Sequence, residues 1–490
     1  MMSLAGMLSS VALSCSLSAT AHAEGASTPQ PAAELIVREQ ETQDLPDVLR
    51  DYMKKKKIPE EDVGIFVQDV NADAPLVLHE ADKAFNPAST MKLVTTWSAV
   101  KALRPSWTWD TEAWLHGKLD GDVLHGDLVL KGYGDPFLVY ESLWLFVNDL
   151  RLKGLREITG DIVIDNSFFD IPEIDPGAFD NHPDRVYNAP PSALMFNFQA
   201  TRFLFNPDPS HETINVLTQP RLSYTRLDNQ LKYIHGRCRE QHYNPRIIAQ
   251  SDGEVRLEGN YADECGPREF VRLLTKPEVH AFNAFRTIWE DLGGTLGGGM
   301  RVGTVSKEDQ RFHVHTSREL GEQIRLINKW SNNVMTRQLL LTLGARQYGG
   351  PATLEKGRMA ILDVLREQGV STDGLVIDNG SGLSRDARIS PNQLGQLLQQ
   401  VWRDPYMPEL LNSLPLLGED GTLYRRFRNS DLKGRSRLKT GTLNRVTAIA
   451  GYMLTRSGKR MVIVMLHNGK KAGSHGHALQ NSLLEWVFEQ

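Results

Sequence analysis

The chain has 490 residues, 40% of them hydrophobic and 23% charged, the balance of a soluble globular protein long enough for about three domains. Its formal net charge of -5 offers no basic surface for nucleic acid or for an anionic membrane. No stretch reaches the ~20 apolar residues of a membrane span, which sets an integral membrane protein aside as well.

Met1 to Ala23 reads as a secretory signal. Leu4 to Leu17 is an apolar or small-residue run, and Ala21-His22-Ala23 is a small-x-small cleavage site before Glu24. The run lacks a preceding lysine or arginine, and Cys15 stands too close to Leu13 for a lipoprotein signal. Residues 24–34, with Ala26-Ser27-Thr28-Pro29-Gln30-Pro31, form a flexible lead-in. Leu45 to Met53 carries a helical period, and Lys54 to Lys57 is its solvated end. Val63 to Val70 and Pro75 to His79 are predicted strands of a hairpin joined by Asn71-Ala72-Asp73-Ala74. That hairpin delivers the chain to Asn86-Pro87-Ala88-Ser89-Thr90-Met91-Lys92, where a helix opens and runs to about Leu103.

From about Trp109 to Gly303 the texture changes to short strands between glycine turns. Strands are predicted at Trp114 to Leu119, Val123 to Leu130 and Ile158 to Ile164, with a helix near Leu143 to Leu152 between the last two. Others fall at Thr213 to Leu217, Leu222 to Leu227 and Glu254 to Glu258. Gly126-Asp127-Leu128-Val129 and Gly160-Asp161-Ile162-Val163 are similar local solutions rather than a repeat. A stretch this long is an insertion of one or two domains, since structureless loops rarely exceed about 15 residues. Helical pattern returns at His280 to Leu292 and Leu320 to Leu343. A glycine-serine turn follows at Asp378 to Arg385. Val446 to Leu454 and Met461 to Leu466 form a second hairpin, and a closing helix over His477 to Gln490 packs on the core. Strands at both ends with helices between predict one sheet built from both termini and covered by helices.

Three short motifs occur in the order Ser89-x-x-Lys92, Ser331-Asn332-Asn333 and Lys439-Thr440-Gly441. Each is weak alone. About two S-x-x-K matches arise by chance in a chain of this length, and Ser98-Ala99-Val100-Lys101 is a second one. Ser98 sits mid-helix, where its hydroxyl is expected to bond back to the helix carbonyls. Ser331 and Asn333 could be ordinary polar residues of a helix from Ile324 to Leu343, and Lys439-Thr440-Gly441 an ordinary strand entry. Together and in this order they form the set of a serine acyltransferase. Ser89, at the positive end of a helix, attacks a carbonyl. Lys92 takes its proton if burial and Lys439 hold it neutral. Ser331 relays a proton to the leaving amine, and Asn333 holds the substrate amide and steadies Lys92. Lys439 and Thr440 bind a free carboxylate, Gly441 leaves the strand face open for substrate backbone, and the amides of Ser89 and Thr442 form an oxyanion hole. The chemistry requires neither a metal nor an organic cofactor, and no Cys-His or H-E-x-x-H metal spacing occurs. Past the signal, Cys238 and Cys265 remain; they either pair across a loop of about 27 residues or stay as two buried thiols.

With these motifs the chain closely resembles the low-molecular-mass class C penicillin-binding proteins, the D-alanyl-D-alanine carboxypeptidase/endopeptidase family (peptidase family S13). Gly134-Asp135-Pro136, Tyr187-Asn188-Ala189-Pro190-Pro191-Ser192-Ala193-Leu194 and Gly380-Ser381-Gly382-Leu383-Ser384-Arg385 extend the resemblance over nearly the whole mature chain. Ser331 lies 242 positions after Ser89, against about sixty in a class A β-lactamase. The resemblance implies a multi-domain α/β fold of the β-lactamase/penicillin-binding-protein transpeptidase type. The DD-peptidase domain is then 35–110 plus 304–490, with a β-rich insertion over 111–303 comprising two nested domains. It also implies a periplasmic enzyme that hydrolyses D-Ala-D-Ala ends or D-Ala–diaminopimelate cross-links of peptidoglycan stem peptides. β-Lactam antibiotics are then its covalent inhibitors.

One stretch departs from the family pattern. The family carries a tryptophan-rich, acidic segment before Tyr187, in which an aspartate holds the diaminopimelate end. By count from Ser89, His182 occupies that position here, with Asp180 and Asp184 beside it and both tryptophans missing. Arg385 is the matching cationic contact. The rival readings are a β-lactamase, which lacks a glutamate placed to activate water, and a non-catalytic wall-binding homologue, against which the intact motifs argue.

Overall fold

Five antiparallel strands drawn from both ends of the chain make the sheet that positions the three motifs. Across the sheet they run Ser436–Leu443, Val446–Leu454, Arg460–Asn468, Val63–Asp69 and Val77–His79. This computed structural model describes residues 42–221, 226–250 and 254–490. The predicted signal and lead-in lie outside the described residues, as do residues 222–225 of the predicted strand Leu222 to Leu227; the strand there is Leu227–Ile234.

The inner strands are near-continuous apolar runs because both faces of the sheet are covered. Ala448, Ala450, Tyr452, Val462, Val464 and Leu466 face one core, while the alternate residues Ile449, Met453, Met461, Ile463 and Met465 face another. The second core is closed by helices Asp47–Lys56 and Ala472–Phe488 through Leu49, Met53, Leu479 and Leu483. Over the first lie helices Met91–Leu103, Leu320–Trp330, Asn333–Tyr348, Leu354–Glu367 and Pro391–Arg403. Each large side chain buried this way contributes about 1.5–3 kcal/mol. The helix Met91–Leu103 runs inside this layer, so its polar positions Lys92, Thr95, Thr96 and Ser98 are buried with its apolar ones. Ser98 does not bond back to the helix: Thr96 does, Oγ1 to Lys92 O at 2.6 Å, and Ser98 Oγ has no partner among the described residues. Lys101 turns away to Asp404 at 2.6 Å, so the second S-x-x-K match forms no pair.

The helical pattern predicted over Leu320 to Leu343 is two helices. Ser331 breaks it in the left-handed conformation (φ 58, ψ 41), and Asn332 restarts it as an N-cap whose side chain accepts from Met335 N at 3.0 Å. Periodicity alone misses this break because apolar spacing on the two helices happens to stay in phase. The helices Leu354–Glu367, Pro391–Arg403 and Met407–Ser413 went unpredicted as well.

The region between the first two motifs has two cores of its own. One lies between a seven-stranded sheet and helices Tyr140–Leu152 and Pro277–Asp291. The predicted strand Ile158 to Ile164 divides here into Glu157–Ile158 and Ile162–Asp165, because Gly160 turns the chain against Gly126 O. The two similar Gly-Asp strands lie side by side in parallel, Leu128 opposite Ile162. Gln310–Thr316 pairs antiparallel with Asp110–Asp120, so this strand belongs with the inserted sheet, beyond the boundary expected at 303. The other core, with Phe203, Phe205, Leu257 and Tyr261, lies between two three-stranded sheets. Cys238 and Cys265 are disulfide-bonded beside it, 27 residues apart. Among the described residues no helix is long and apolar enough to cross a membrane.

Replacing both Cys238 and Cys265 by alanine is expected to destabilise this innermost β-unit by roughly 3–4 kcal/mol, from the 27-residue loop they close. Calorimetry checks it: the lowest unfolding transition moves down while the transition of the five-stranded sheet stays in place.

Candidate active site

The turn that carries Ser89 is held from three sides before any chemistry is considered. Ala88–Thr90 is one turn of 3-10 helix running into Met91–Leu103. Asn86 fixes its entry: Oδ1 accepts from Ala88 N (2.9 Å) and Nδ2 donates to Ser384 O (2.8 Å). Asn468, at the end of a central strand, exchanges a pair of hydrogen bonds with the Asn86 backbone. Gly382, at φ 75, lies so close that a Cβ there would sit 1.8 Å from Ala88 O. On the remaining side is Gly441, where a Cβ would sit 2.9 Å from both Pro87 O and Ser89 N. Gly441 is therefore required by the close approach of its own strand to the serine turn.

Lys92 stands three residues on, on the same side of the helix, with Nζ 2.9 Å from Ser89 Oγ. The same Nζ lies 2.6 Å from Asn333 Oδ1 and 2.5 Å from Ser381 O. Lys92 is fully buried. Burial, then the charges of Lys439 and Arg337, hold its pKa well below the ordinary lysine range. A neutral amine has two N–H donors and one lone pair. With Asn333 and Ser381 taking the donors, the lone pair is left for the Ser89 hydroxyl.

The break at Ser331 makes the second motif usable. Two residues apart on a continuous helix point about 200° away from each other. Here the break lets Asn333 reach Lys92 while Ser331 Oγ accepts from Lys439 Nζ at 2.9 Å. Lys439 also donates to Thr440 O at 2.8 Å, is fully buried, and is pushed down by burial to about 7. The Thr440 hydroxyl donates to Thr422 at 2.8 Å, and Thr442 is exposed further along the strand. Neither Lys92 nor Lys439 has a carboxylate partner among the described residues, so nothing nearby opposes the effect of burial on either amine.

The side-chain recognition residues expected from the sequence stand elsewhere. Arg385 is exposed, its guanidinium 4.4 Å over the Phe179 ring, in a cavity of about 410 Å3 that Arg337 and Asn188 also line. Asp180 is committed to its own loop, accepting from Tyr187 Oη (2.7 Å), Asn188 Nδ2 (2.8 Å) and His182 N (3.1 Å). Asp184 pairs with Arg272 at 2.9 Å, and the His182 side chain is exposed. Arg337 went unnoticed in the sequence. It follows Asn333 by one helical turn and donates to Ala189 O at 2.8 Å. The spacing could have flagged it only once the helix start at Asn333 was known. Nothing in the sequence marks Thr422, which comes from a separate loop.

The chain matches the family model described as D-Ala-D-Ala carboxypeptidase 3 (S13) family over residues 45–490. A D-alanyl-D-alanine carboxypeptidase of an Actinomadura species is 28% identical over 422 residues, 83% of this chain and 77% of the relative. The D-alanyl-D-alanine carboxypeptidase DacB of Haemophilus influenzae is 23% identical over 421 residues, 85% of this chain and 88% of the relative. The crystal structure of penicillin binding protein 4 (dacB) from Haemophilus influenzae shares the fold, with a TM-score of 0.77 at 22% identity, covering 90% of this chain and 99% of that one.

Gly441→Ala is expected to destabilise the protein by about 1–3 kcal/mol, because its Cβ meets backbone rather than a movable side-chain tip. Gly473→Ala, whose Cβ would meet open space on the C-terminal helix, serves as the control and should leave thermal unfolding unchanged or slightly raised.

Proposed function

The chain belongs to the D-Ala-D-Ala carboxypeptidase 3 (S13) family and is a serine-type carboxypeptidase, and on that premise we propose that Ser89 forms the acyl-enzyme of a peptidoglycan DD-peptidase. The observation that carries the reading is the buried Lys92 amine, 2.9 Å from Ser89 Oγ and, among the described residues, without a carboxylate to retain its proton. Ser89 Oγ attacks the penultimate D-Ala carbonyl carbon as its proton passes to Lys92 Nζ. Negative charge collects on the carbonyl oxygen, and the amides of Ser89 and Thr442 would hold it, each donor contributing about 3–4 kcal/mol. Collapse of that adduct breaks the C–N bond. The departing amine takes the proton that Lys92 received, relayed through the Ser331 hydroxyl that Lys439 holds, and Lys92 is again a neutral base. Water, deprotonated by Lys92, then attacks the ester and frees the shortened peptide and Ser89. No step calls for a cofactor.

Lys439 and Thr440 would hold the carboxylate of the leaving residue, and Asn333 the substrate amide. The leaving amine bears a carboxylate in a D-Ala-D-Ala end and in a D-Ala–diaminopimelate cross-link alike, so the reading includes endopeptidase as well as carboxypeptidase activity. Arg385, with Phe179 stacked beneath it, would receive a carboxylate of the diaminopimelate side chain. Asp180 supports that pocket through Asn188, and exposed His182 and Asp184 beside it would meet the amine end of the side chain. A β-lactam offers the same carbonyl with a leaving nitrogen that stays tethered, which makes it a covalent inhibitor. Penicillin binding protein 4 of Haemophilus influenzae is itself described in complex with a β-lactam. We place the enzyme in the periplasm, delivered by the segment 1–23. We also draw its catalytic domain as 42–109 and 317–490, around a nested insertion of about 110–316, on the strength of the Gln310–Thr316 pairing.

Digestion of cross-linked diaminopimelate muropeptides, read by mass spectrometry, checks the reaction. Wild type should remove terminal D-Ala and split dimers, and Ser89→Ala should do neither. Activity surviving in Ser89→Ala would sink the assignment.

The pH profile of kcat/KM follows from the two lysines. As pH falls through the depressed pKa of Lys92, the base becomes protonated and the rate drops. As pH rises through about 7, Lys439 loses the charge that holds the substrate carboxylate, and the rate drops again. A substrate with its terminal carboxylate amidated should keep the acid limb and lose the alkaline one. An alkaline limb that persists on that substrate removes Lys439 from carboxylate binding.

A further inference from the structure

Arg337 takes no part in the steps above, yet it stands between two of the places where they happen. It follows Asn333 by one turn of the helix Asn333–Tyr348, so the two side chains lie on one face. Asn333 Oδ1 accepts from Lys92 Nζ, and after burial and Lys439 it is the charge of Arg337 that depresses that amine. Toward the outside Arg337 lines the cavity of about 410 Å3 together with Arg385. The side chain is half-buried, and burial pushes it down only to about 10, so it is charged at neutral pH. A guanidinium has five N–H donors. Here Nη1 donates to Ala189 O at 2.8 Å, whereas Nε and Nη2 have no acceptor among the described residues and are not sealed from solvent. No carboxylate pairs with either arginine among the described residues. Other elements bring charge to this place: Lys439 from the edge strand, Asp378 and Asp386 from the glycine-serine turn, Arg358 from the next helix and Asp175 from the facing loop. Asp378, whose charge bears on Arg337, is bonded to Arg358 at 3.2 Å instead. Asp175 accepts from Gly177 N at 2.8 Å, and Asp386 is exposed.

We propose that Arg337 is a specificity-determining residue: with Arg385 it takes the carboxylate of the side chain seated in the cavity, and through that pairing it makes Lys92 a better proton acceptor for an anionic side chain than for a neutral one. The inference rests on the DD-peptidase reading for the identity of that side chain, which belongs to the residue before the two D-Ala. While the cavity is empty or holds a neutral group, the guanidinium charge opposes an ammonium on Lys92. A carboxylate bonded to Nε and Nη2 cancels most of that field, and in a dry site the change is felt more strongly than it would be in water. The proton leaving Ser89 Oγ for Lys92 Nζ then meets a lower barrier, with no atom exchanged at Arg337. The side chain stays in place on the acyl-enzyme after D-Ala has left, so the water that Lys92 deprotonates gains in the same way. Two substrates that differ only in that side chain bring the same terminal carboxylate to Lys439, so comparing them isolates Arg337.

The test compares a diaminopimelate-D-Ala-D-Ala peptide with the same peptide amidated at the side-chain carboxyl, following kcat and KM against pH by release of D-Ala. On wild type the acid limb of kcat should lie about one pH unit higher for the free acid than for the amide, the size of one nearby charge at an effective dielectric constant of ~20. KM should be about tenfold lower for the free acid. Arg337→Gln, which keeps a donor for Ala189 O, should bring the two limbs together by raising that of the amide. Arg337→Met is the second neutral variant if Arg337→Gln does not fold. Arg337→Lys keeps the charge and should hold the limbs apart. Arg385→Gln should raise KM for the free acid and also leave the limbs apart, since Arg337 is still in place. Limbs that coincide on wild type, or that stay apart in the neutral variants, overturn the proposal. If wild type releases D-Ala from neither peptide, the peptidase reading fails, and the same two side chains are presented on a penicillin with acylation of Ser89 read by mass spectrometry. Faster acylation by the carboxylate-bearing form, lost in Arg337→Gln, then keeps the inference, and equal rates overturn it.

Discussion

The architecture depends on keeping one lysine dry. An ammonium ion taken out of water costs several kcal/mol unless a counter-charge goes with it, and a group with no partner gives up its proton instead. Lys92 is in that position: fully buried, with other cations as its charged neighbours and neutral oxygens as its hydrogen-bond partners. A helix with one face toward water could not impose this, because the long lysine stem would carry the amine out to solvent. Met91–Leu103 can impose it because other helices and the sheet enclose it on all sides.

Around that amine the chain brings together segments separated by hundreds of residues. The Asn86–Asn468 exchange ties the serine turn to the end of a central strand, and Gly382 and Gly441 let two other segments close on its backbone. The interruption at Ser331 orients two side chains of one short motif toward two different lysines. Asn332, between them, points its oxygen at the helix it caps. An aspartate could cap in the same way, which accounts for the tolerance of S-N-N where S-D-N is commoner. The insertion builds its own cores and docks on the helix that begins at Asn333, Arg337 donating to Ala189 O and Gln338 to Ser192 O.

Much of this was legible in the chain. Both hairpins, the nucleophile helix and the change of texture between the first two motifs follow from short-range pattern, and each appears within a few residues of its expected place. The misreadings share a cause. Leu320 to Leu343 passed for one helix because a left-handed serine leaves no periodic signature, and Ile158 to Ile164 for one strand because the glycine turn is set by a neighbouring strand. Gly441 meets a constraint that no local pattern shows, contact with residues some 350 positions earlier. Asp180 and Asp184 flank the family's acidic position in the sequence, and only the structure shows that Asp180 accepts from Tyr187 and Asn188 and that Asp184 pairs with Arg272.

The sequence by itself determined the kinds of chemistry available: a serine near a helix start with a lysine one turn on, a second serine and amide, a lysine-threonine-glycine strand, and their order. It also left Cys238 and Cys265 open between bond and thiols, which the 4.7 Å Cα separation resolves. Only the tertiary structure decided which S-x-x-K match brings serine and lysine within hydrogen-bonding distance, that burial depresses both Lys92 and Lys439, and that Arg337 contributes to both the field and the pocket. Those properties arise from desolvation and from contacts between distant segments. Local periodicity encodes neither, because burial belongs to the packed molecule and not to the residue.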